Sequence, residues 1–167
     1  MTHKIETEKE RRNMKLAIGN DHAGVTLKND IKKYLEEKGI EVINVGCDDP
    51  STSFPYAVSG YRVARLVADG KVDGGVLICG TGVGISLAAN KVRGIRACAC
   101  SDPVTASLTK QHNNANIIAF GARIVGLETA KSIVDAWLGA EFEGGRHVAR
   151  IAMISEIEET QDLQAAK

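Results

Sequence analysis

The segment of this chain best suited to chemistry is Cys79-Gly80-Thr81-Gly82-Val83-Gly84-Ile85-Ser86. Its three alternating glycines let the backbone approach a ligand, and the helix start that follows offers N–H donors. Such a nest suits a phosphate or an oxyanion that develops during reaction. The GxGxG spacing is not that of a dinucleotide fingerprint. Cys79 ends an apolar run and points at those donors, a setting that favours a thiolate and hence a general base. Simple packing of the thiol is the competing reading.

Four further segments carry candidate groups. In Gly19-Asn20-Asp21-His22-Ala23-Gly24, Asp21 and His22 suit a sugar or a phosphate, although Asp21 is equally suited to capping a helix. In Gln111-His112-Asn113-Asn114, His112 is either an acid–base beside an amide or a helix-end cap. Arg123 follows a strand in Gly121-Ala122-Arg123. In Gly144-Gly145-Arg146-His147-Val148-Ala149-Arg150, Arg146 and Arg150 stand four apart. On a helix they share a face that would clamp a phosphate, or form a solvated cationic face paired with Glu143 or Glu156.

These residues need a scaffold. Short apolar segments at Lys15–Gly19, Glu41–Gly46, Gly75–Cys79, Ile95–Cys100 and Asn116–Phe120 read as strands. Several are apolar throughout, as strands covered on both faces are. Between them lie helical stripes. Leu27, Ile31, Tyr34 and Leu35 precede Gly39 at a C′ position. Residues Tyr56–Ala68 form a second stripe. Asp102-Pro103 starts a third helix, and Leu127, Ala130, Ile133, Val134 and Trp137 line a fourth. The last helix runs from Arg146 to about Leu163, with Val148, Ile151, Ile154 and Ile157 on one side. Five strands alternating with helices predict an α/β fold: a three-layer αβα sandwich with a Rossmann-like, doubly wound parallel sheet. Ligands then belong at the carboxyl ends of the strands, where the Cys79 loop falls.

The 167 residues suit one domain, expected over 14–160, with a flexible extension at 1–13 and a tail at 161–167. Lys plus Arg (21) balances Asp plus Glu (21), so no net field favours nucleic acid or a membrane surface. No apolar run reaches the roughly 20 residues of a membrane span. Residues 1–13 are polar, unlike a secretory signal, and the expected location is cytoplasmic. Cys47, Cys79, Cys98 and Cys100 lack zinc-ligand spacing, so neither a metal nor a disulfide is expected. Cys98 and Cys100 read as core filling.

Taken in order, the motifs GNDHAG (19–24), DGGVLICGTGVGISLAANKVRGIRA (73–97), KQHNNANIIAFGAR (110–123) and IVDAWLGAEFEGGRHVAR (133–150) carry a specific resemblance. The chain resembles the ribose-5-phosphate isomerase B family, which also contains galactose-6-phosphate and allose-6-phosphate isomerases, from about Met14 to Glu158. The resemblance implies an aldose–ketose isomerase of the pentose phosphate pathway that works without a cofactor through a cis-enediolate. Cys79 would move the proton between C1 and C2. Thr81 and the N–H groups of Gly80, Gly82 and Gly84 would handle the O1/O2 proton and steady the enediolate. His112 would open the furanose ring with Asp21 on the sugar side, and Asn113 would be the enediolate amide. His22, Arg123, Arg146 and Arg150 would hold the phosphate. The resemblance also implies a homodimer or dimer of dimers with shared sites, in which His112, Asn113 and the arginines reach the partner subunit's Cys79.

Ile85 stands where a second branch of the family carries a Glu, so retention of Cys79 places the chain in the Cys branch. Relatives commonly have Asp-Tyr-Pro where this chain has Ser53-Phe54-Pro55, which removes a hydroxyl and a carboxylate. The leading substrate is ribose 5-phosphate. A four- or six-carbon aldose phosphate is the alternative, and a non-catalytic nucleotide-binding module, with Asp102 on a ribose, is the reading from another class.

Overall fold

The computed structural model describes residues 14–166. Among them are five strands: β1 (Lys15–Asn20), β2 (Glu41–Asn44), β3 (Gly74–Cys79), β4 (Ala97–Ala99) and β5 (Ile117–Gly121). Six α-helices accompany them: α1 (Val25–Glu37), α2 (Tyr56–Ala68), α3 (Val83–Ala89), α4 (Pro103–Asn113), α5 (Leu127–Leu138) and α6 (Arg146–Thr160). The expected extension at 1–13 lies outside the described residues. No helix among the described residues is long and apolar enough to cross a membrane.

All strand pairings are parallel, in the order β2-β1-β3-β5-β4. Alternation along the central strands builds two cores. Leu16, Ile18, Val76, Ile78, Ile118 and Phe120 face α1, α4 and α5. Ala17, Leu77, Cys79, Ile117 and Ala119 face α2 and α3. The result is the predicted three-layer, doubly wound sandwich. The chain leaves β1 toward one sheet edge and β3 toward the other, so the switch point lies between their carboxyl ends. There Asp21 N–H donates to the Ile78 carbonyl at 3.2 Å.

The helix caps follow the sequence. Gly39, just past α1, has φ +81°. Asp102 caps α4 by accepting from Thr105 N–H at 2.7 Å. The stripe Ala130, Ile133, Val134 and Trp137 of α5 is buried.

Three elements are shorter than predicted. At two of them side chains take over backbone groups. β2 ends at Asn44, whose Oδ1 accepts from Gly46 N–H at 3.0 Å and turns the chain. β4 begins only at Ala97, because Asn116 Oδ1 takes Arg96 N–H and Asn90 Oδ1 takes Ala97 N–H. α6 stops at Thr160, where Gln161 adopts φ +58°. Its stripe of Val148, Ile154 and Ile157 is exposed rather than packed on its own chain.

Candidate active site

Cys79 is the last residue of β3 and only 4% exposed. Its Sγ accepts from Gly82 N–H at 3.1 Å, so the loop wraps back over the sulfur. That wrapping requires glycine at 82, where φ is +81° and a Cβ would lie 2.8 Å from the Phe120 backbone. A Cβ at Gly84 would strike the Tyr56 ring at 2.9 Å. Thr81 is exposed at the loop's tip, its Oγ1 accepting from Val83 N–H at 3.3 Å. A second strand end supports the loop: Ala122 N–H donates to the Cys79 carbonyl at 2.8 Å and Arg123 N–H to that of Gly80 at 3.1 Å. The Arg123 side chain lies along Gly80, its Nη1 3.5 Å from where a Cβ there would sit.

The β1 end completes this group. Asp21 is buried, and its Oδ1 accepts from Ala23 N–H at 3.0 Å and Gly24 N–H at 3.2 Å. It therefore does cap the short helical turn His22–Gly24. Both bonds fall on one oxygen, which leaves Oδ2 for a ligand. Asn20, fully buried, donates from Nδ2 to the carbonyls of Asp21 at 2.7 Å and Cys47 at 3.0 Å, tying β1 to the loop after β2. That loop carries Phe54, whose N–H reaches His22 Nδ1 at 3.5 Å.

The remaining predicted residues gather elsewhere. α4 connects parallel neighbours, so it runs back antiparallel to them and ends beside the amino ends of the strands. Eleven residues of helix carry His112 and Asn113 about 16 Å down the sheet. There His112 stacks on His147, ring centroids 4.4 Å apart and planes 8° apart. Glu143 Oε2 lies 3.9 Å from His112 Nε2 and 3.7 Å from His147 Nε2. Arg146 Nε donates to His147 Nε2 at 3.4 Å. Burial first, then the neighbouring His112, Arg146 and Arg150, hold the His147 imidazole below its ordinary value of 6.5. Arg146 and Arg150 are exposed, and neither pairs with a carboxylate among the described residues. Glu143 faces the two histidines instead.

The candidate residues of one chain thus fall into two groups. Asp21, His22, Cys79, Thr81 and Arg123 stand at the carboxyl ends of the strands. His112, Asn113, Arg146 and Arg150 stand at the other end of the molecule. This corrects one expectation: Arg123 belongs with its own chain's Cys79 loop, apart from the other arginines.

Sequence reasoning gave His147 and Glu143 no role against His112, because Glu143 precedes the helix and its contact depends on a loop. The atoms of His112, Glu143 and His147 lie within 4.8 Å of one another. Parallel rings aim their in-plane lone pairs side by side, so this trio makes a poor metal site without rearrangement. Of the other thiols, burial pushes Cys100 up to about 12 and raises Cys98, which suits core filling. Asp102 is occupied as a cap, which weakens the nucleotide-binding reading.

A family model described as "Ribose/Galactose Isomerase" matches residues 16–154. The chain is 55% identical over 149 residues to ribose-5-phosphate isomerase B of Escherichia coli, covering 89% of this chain and 99% of that one. It is 42% identical over 151 residues to a D-erythrulose-4-phosphate isomerase of Pectobacterium atrosepticum, covering 90% and 99%. Among solved structures, ribose-5-phosphate isomerase B of Clostridium thermocellum superposes with a TM-score of 0.87 at 49% identity, covering 89% of this chain and all of that one.

Proposed function

The chain belongs to the ribose/galactose isomerase family and is an aldose–ketose isomerase of phosphorylated sugars; on that premise we propose how its residues convert ribose 5-phosphate to ribulose 5-phosphate. The observation that carries the reading is Cys79: a buried sulfur at a strand end, held by the Gly82 N–H in a glycine-built loop. Its thiolate takes the proton from C2 of the open aldose and returns it to C1. The loop N–H groups and Thr81 meet the developing charge on O1 and O2, at about 3 kcal/mol per fixed donor. Asp21 Oδ2 and His112 serve ring opening, and Asn113 donates to the enediolate. His22, Arg123, Arg146 and Arg150 hold the phosphate, whose binding energy orients the reacting carbons. Proton transfer between adjacent carbons through a thiolate and fixed donors calls for no metal or cofactor.

The two groups of candidate residues support a homodimer with shared sites. His112 and Cys79 of one chain lie at opposite ends of the sheet, too far apart to touch one sugar. A two-fold partner brings the His112 end of one subunit to the Cys79 end of the other. Exposed apolar groups rim the Cys79 loop where that partner would sit: Tyr56, Val83, Leu87 and Ile124. The four free thiols suit a cytoplasmic setting.

A four-carbon substrate is the second reading. It is favoured by the D-erythrulose-4-phosphate isomerase relative and by Phe54, which brings no hydroxyl to the loop beside His22. An assay of aldose and ketose phosphates from four to six carbons separates the two. Ribose 5-phosphate should show the highest kcat/KM, and a preference for another sugar by a large factor overturns the choice of substrate alone.

A further inference from the structure

Arg96 has no part in the chemistry described so far, yet it holds the end of α4. It stands just before β4, half-buried, with its backbone fixed at both polar groups. Its N–H donates to Asn116 Oδ1 at 2.9 Å, and its carbonyl accepts from Asn116 N–H at 3.2 Å. Asn116 Nδ2 in turn donates to the Gly94 carbonyl at 2.8 Å. From this anchored base the guanidinium reaches the last carbonyls of α4. Nε donates to Asn113 O at 2.9 Å and Asn114 O at 3.2 Å, and Nη2 donates to Asn114 O at 3.0 Å.

Those carbonyls have no partner within the helix, and a cation is favoured at that end of the helix dipole. The planar fork spans two successive carbonyls, which an ammonium cannot do with one geometry. The constraint also falls where the backbone needs it. Asn114 adopts φ +46°, sparsely populated for a residue with a side chain, and sits directly after Asn113. The Asn113 side chain is exposed and makes no hydrogen bond among the described residues, while its carbonyl is clamped.

We propose that Arg96 is a positioning residue for catalysis: it locks the carbonyls of Asn113 and Asn114 so that the Asn113 amide is presented to the substrate in a fixed direction. This rests on Asn113 being the enediolate donor.

A double-mutant cycle on the full chain tests it. Arg96→Gln removes the charged fork and Arg96→Lys keeps one charged donor; each is made alone and with Asn113→Ala. With ribose 5-phosphate, Arg96→Gln lowers kcat about tenfold and Arg96→Lys about threefold, while the inhibition constant of inorganic phosphate moves less than about twofold. In the Asn113→Ala background the same substitutions cost less than about twofold, because the group they orient is gone. A loss of folded fraction would instead multiply through both backgrounds equally, so equal losses overturn the inference. Failure of both Arg96 variants to fold also overturns it, by making the role structural. If Asn113→Ala alone is as active as wild type, the assignment of Asn113 has failed and the inference falls with it, a result distinct from equal losses in an Asn113→Ala background that is itself impaired.

Discussion

The two ends of the sheet are built differently. At the carboxyl end, groups sit on strand ends and are fixed by backbone: the Gly82 N–H on Cys79, and the Cys79 and Gly80 carbonyls held from the end of β5. Glycines with no room for a side chain enforce that arrangement. At the amino end, groups sit on helix termini, mostly exposed, and are fixed by side chains: His147 under His112, Glu143 beside both, and Arg96 on the last carbonyls of α4. A base and its oxyanion donors need rigid placement, and backbone provides it. Groups that recognise phosphate can remain exposed cations on a helix until the substrate arrives. In the proposed mechanism the buried end supplies the base and its backbone donors, and the exposed end supplies the Asn113 amide, the ring-opening His112 and two of the phosphate-holding arginines.

Cys79→Ala separates the two ends most. It should lower kcat by about 10³-fold or more, with phosphate inhibition retained, because it removes the proton-transferring group and leaves the cations in place. Steady-state kinetics would check this, and a mutant of near wild-type activity would erase the division. Next, Arg146→Ala or Arg150→Ala should raise KM by about tenfold or more with a smaller change in kcat, as expected for a lost charge-assisted contact. A pure kcat effect would make these two arginines part of the chemistry rather than of phosphate binding.

Backbone enforcement is tested by two glycines of similar φ. Gly82→Ala meets the Phe120 backbone and should cost at least about 2 kcal/mol in urea unfolding. Gly94→Ala, at φ +79° with open space around it, should cost only about 1 kcal/mol. Equal costs would show that crowding at the Cys79 loop is unimportant.

The smallest effect is on pH. The His147 imidazole is held below 6.5, so on acidification the unfolded chain takes up the proton before the folded one does. The contribution of His147 to stability is present above pH 6.5 and is lost as pH falls below it. His147→Gln should flatten that part of a Tm-against-pH curve, and an unchanged slope would contradict the assignment.

The architecture was legible in the sequence because the strands are apolar on both faces and most helices carry an apolar stripe. Cys79, His112 and the arginines were legible as groups because their neighbours suit the same chemistry. Arg123 was legible as a group at a strand's carboxyl end, but its bond to the Gly80 carbonyl of its own chain was not, because no local pattern says which strand ends lie side by side. His147, Glu143 and Arg96 were missed for a related reason. Each acts through a contact between distant segments, 17 residues apart for Arg96 and Asn113, with no local pattern to mark it. The exposed stripe of α6 reads like any buried amphipathic face, so periodicity could not show that its own chain leaves it uncovered.

If each active site joins the Cys79 end of one subunit to the His112 end of another, two inactive chains should repair one another. Cys79→Ala and His112→Ala chains, each inactive alone, would be mixed, unfolded and refolded together. Shared sites predict recovery of about a quarter of wild-type activity, since half the dimers are mixed and one of the two sites in each is intact. No recovery, with mixed dimers demonstrated by mass spectrometry, would contradict sharing and place a complete site within one chain.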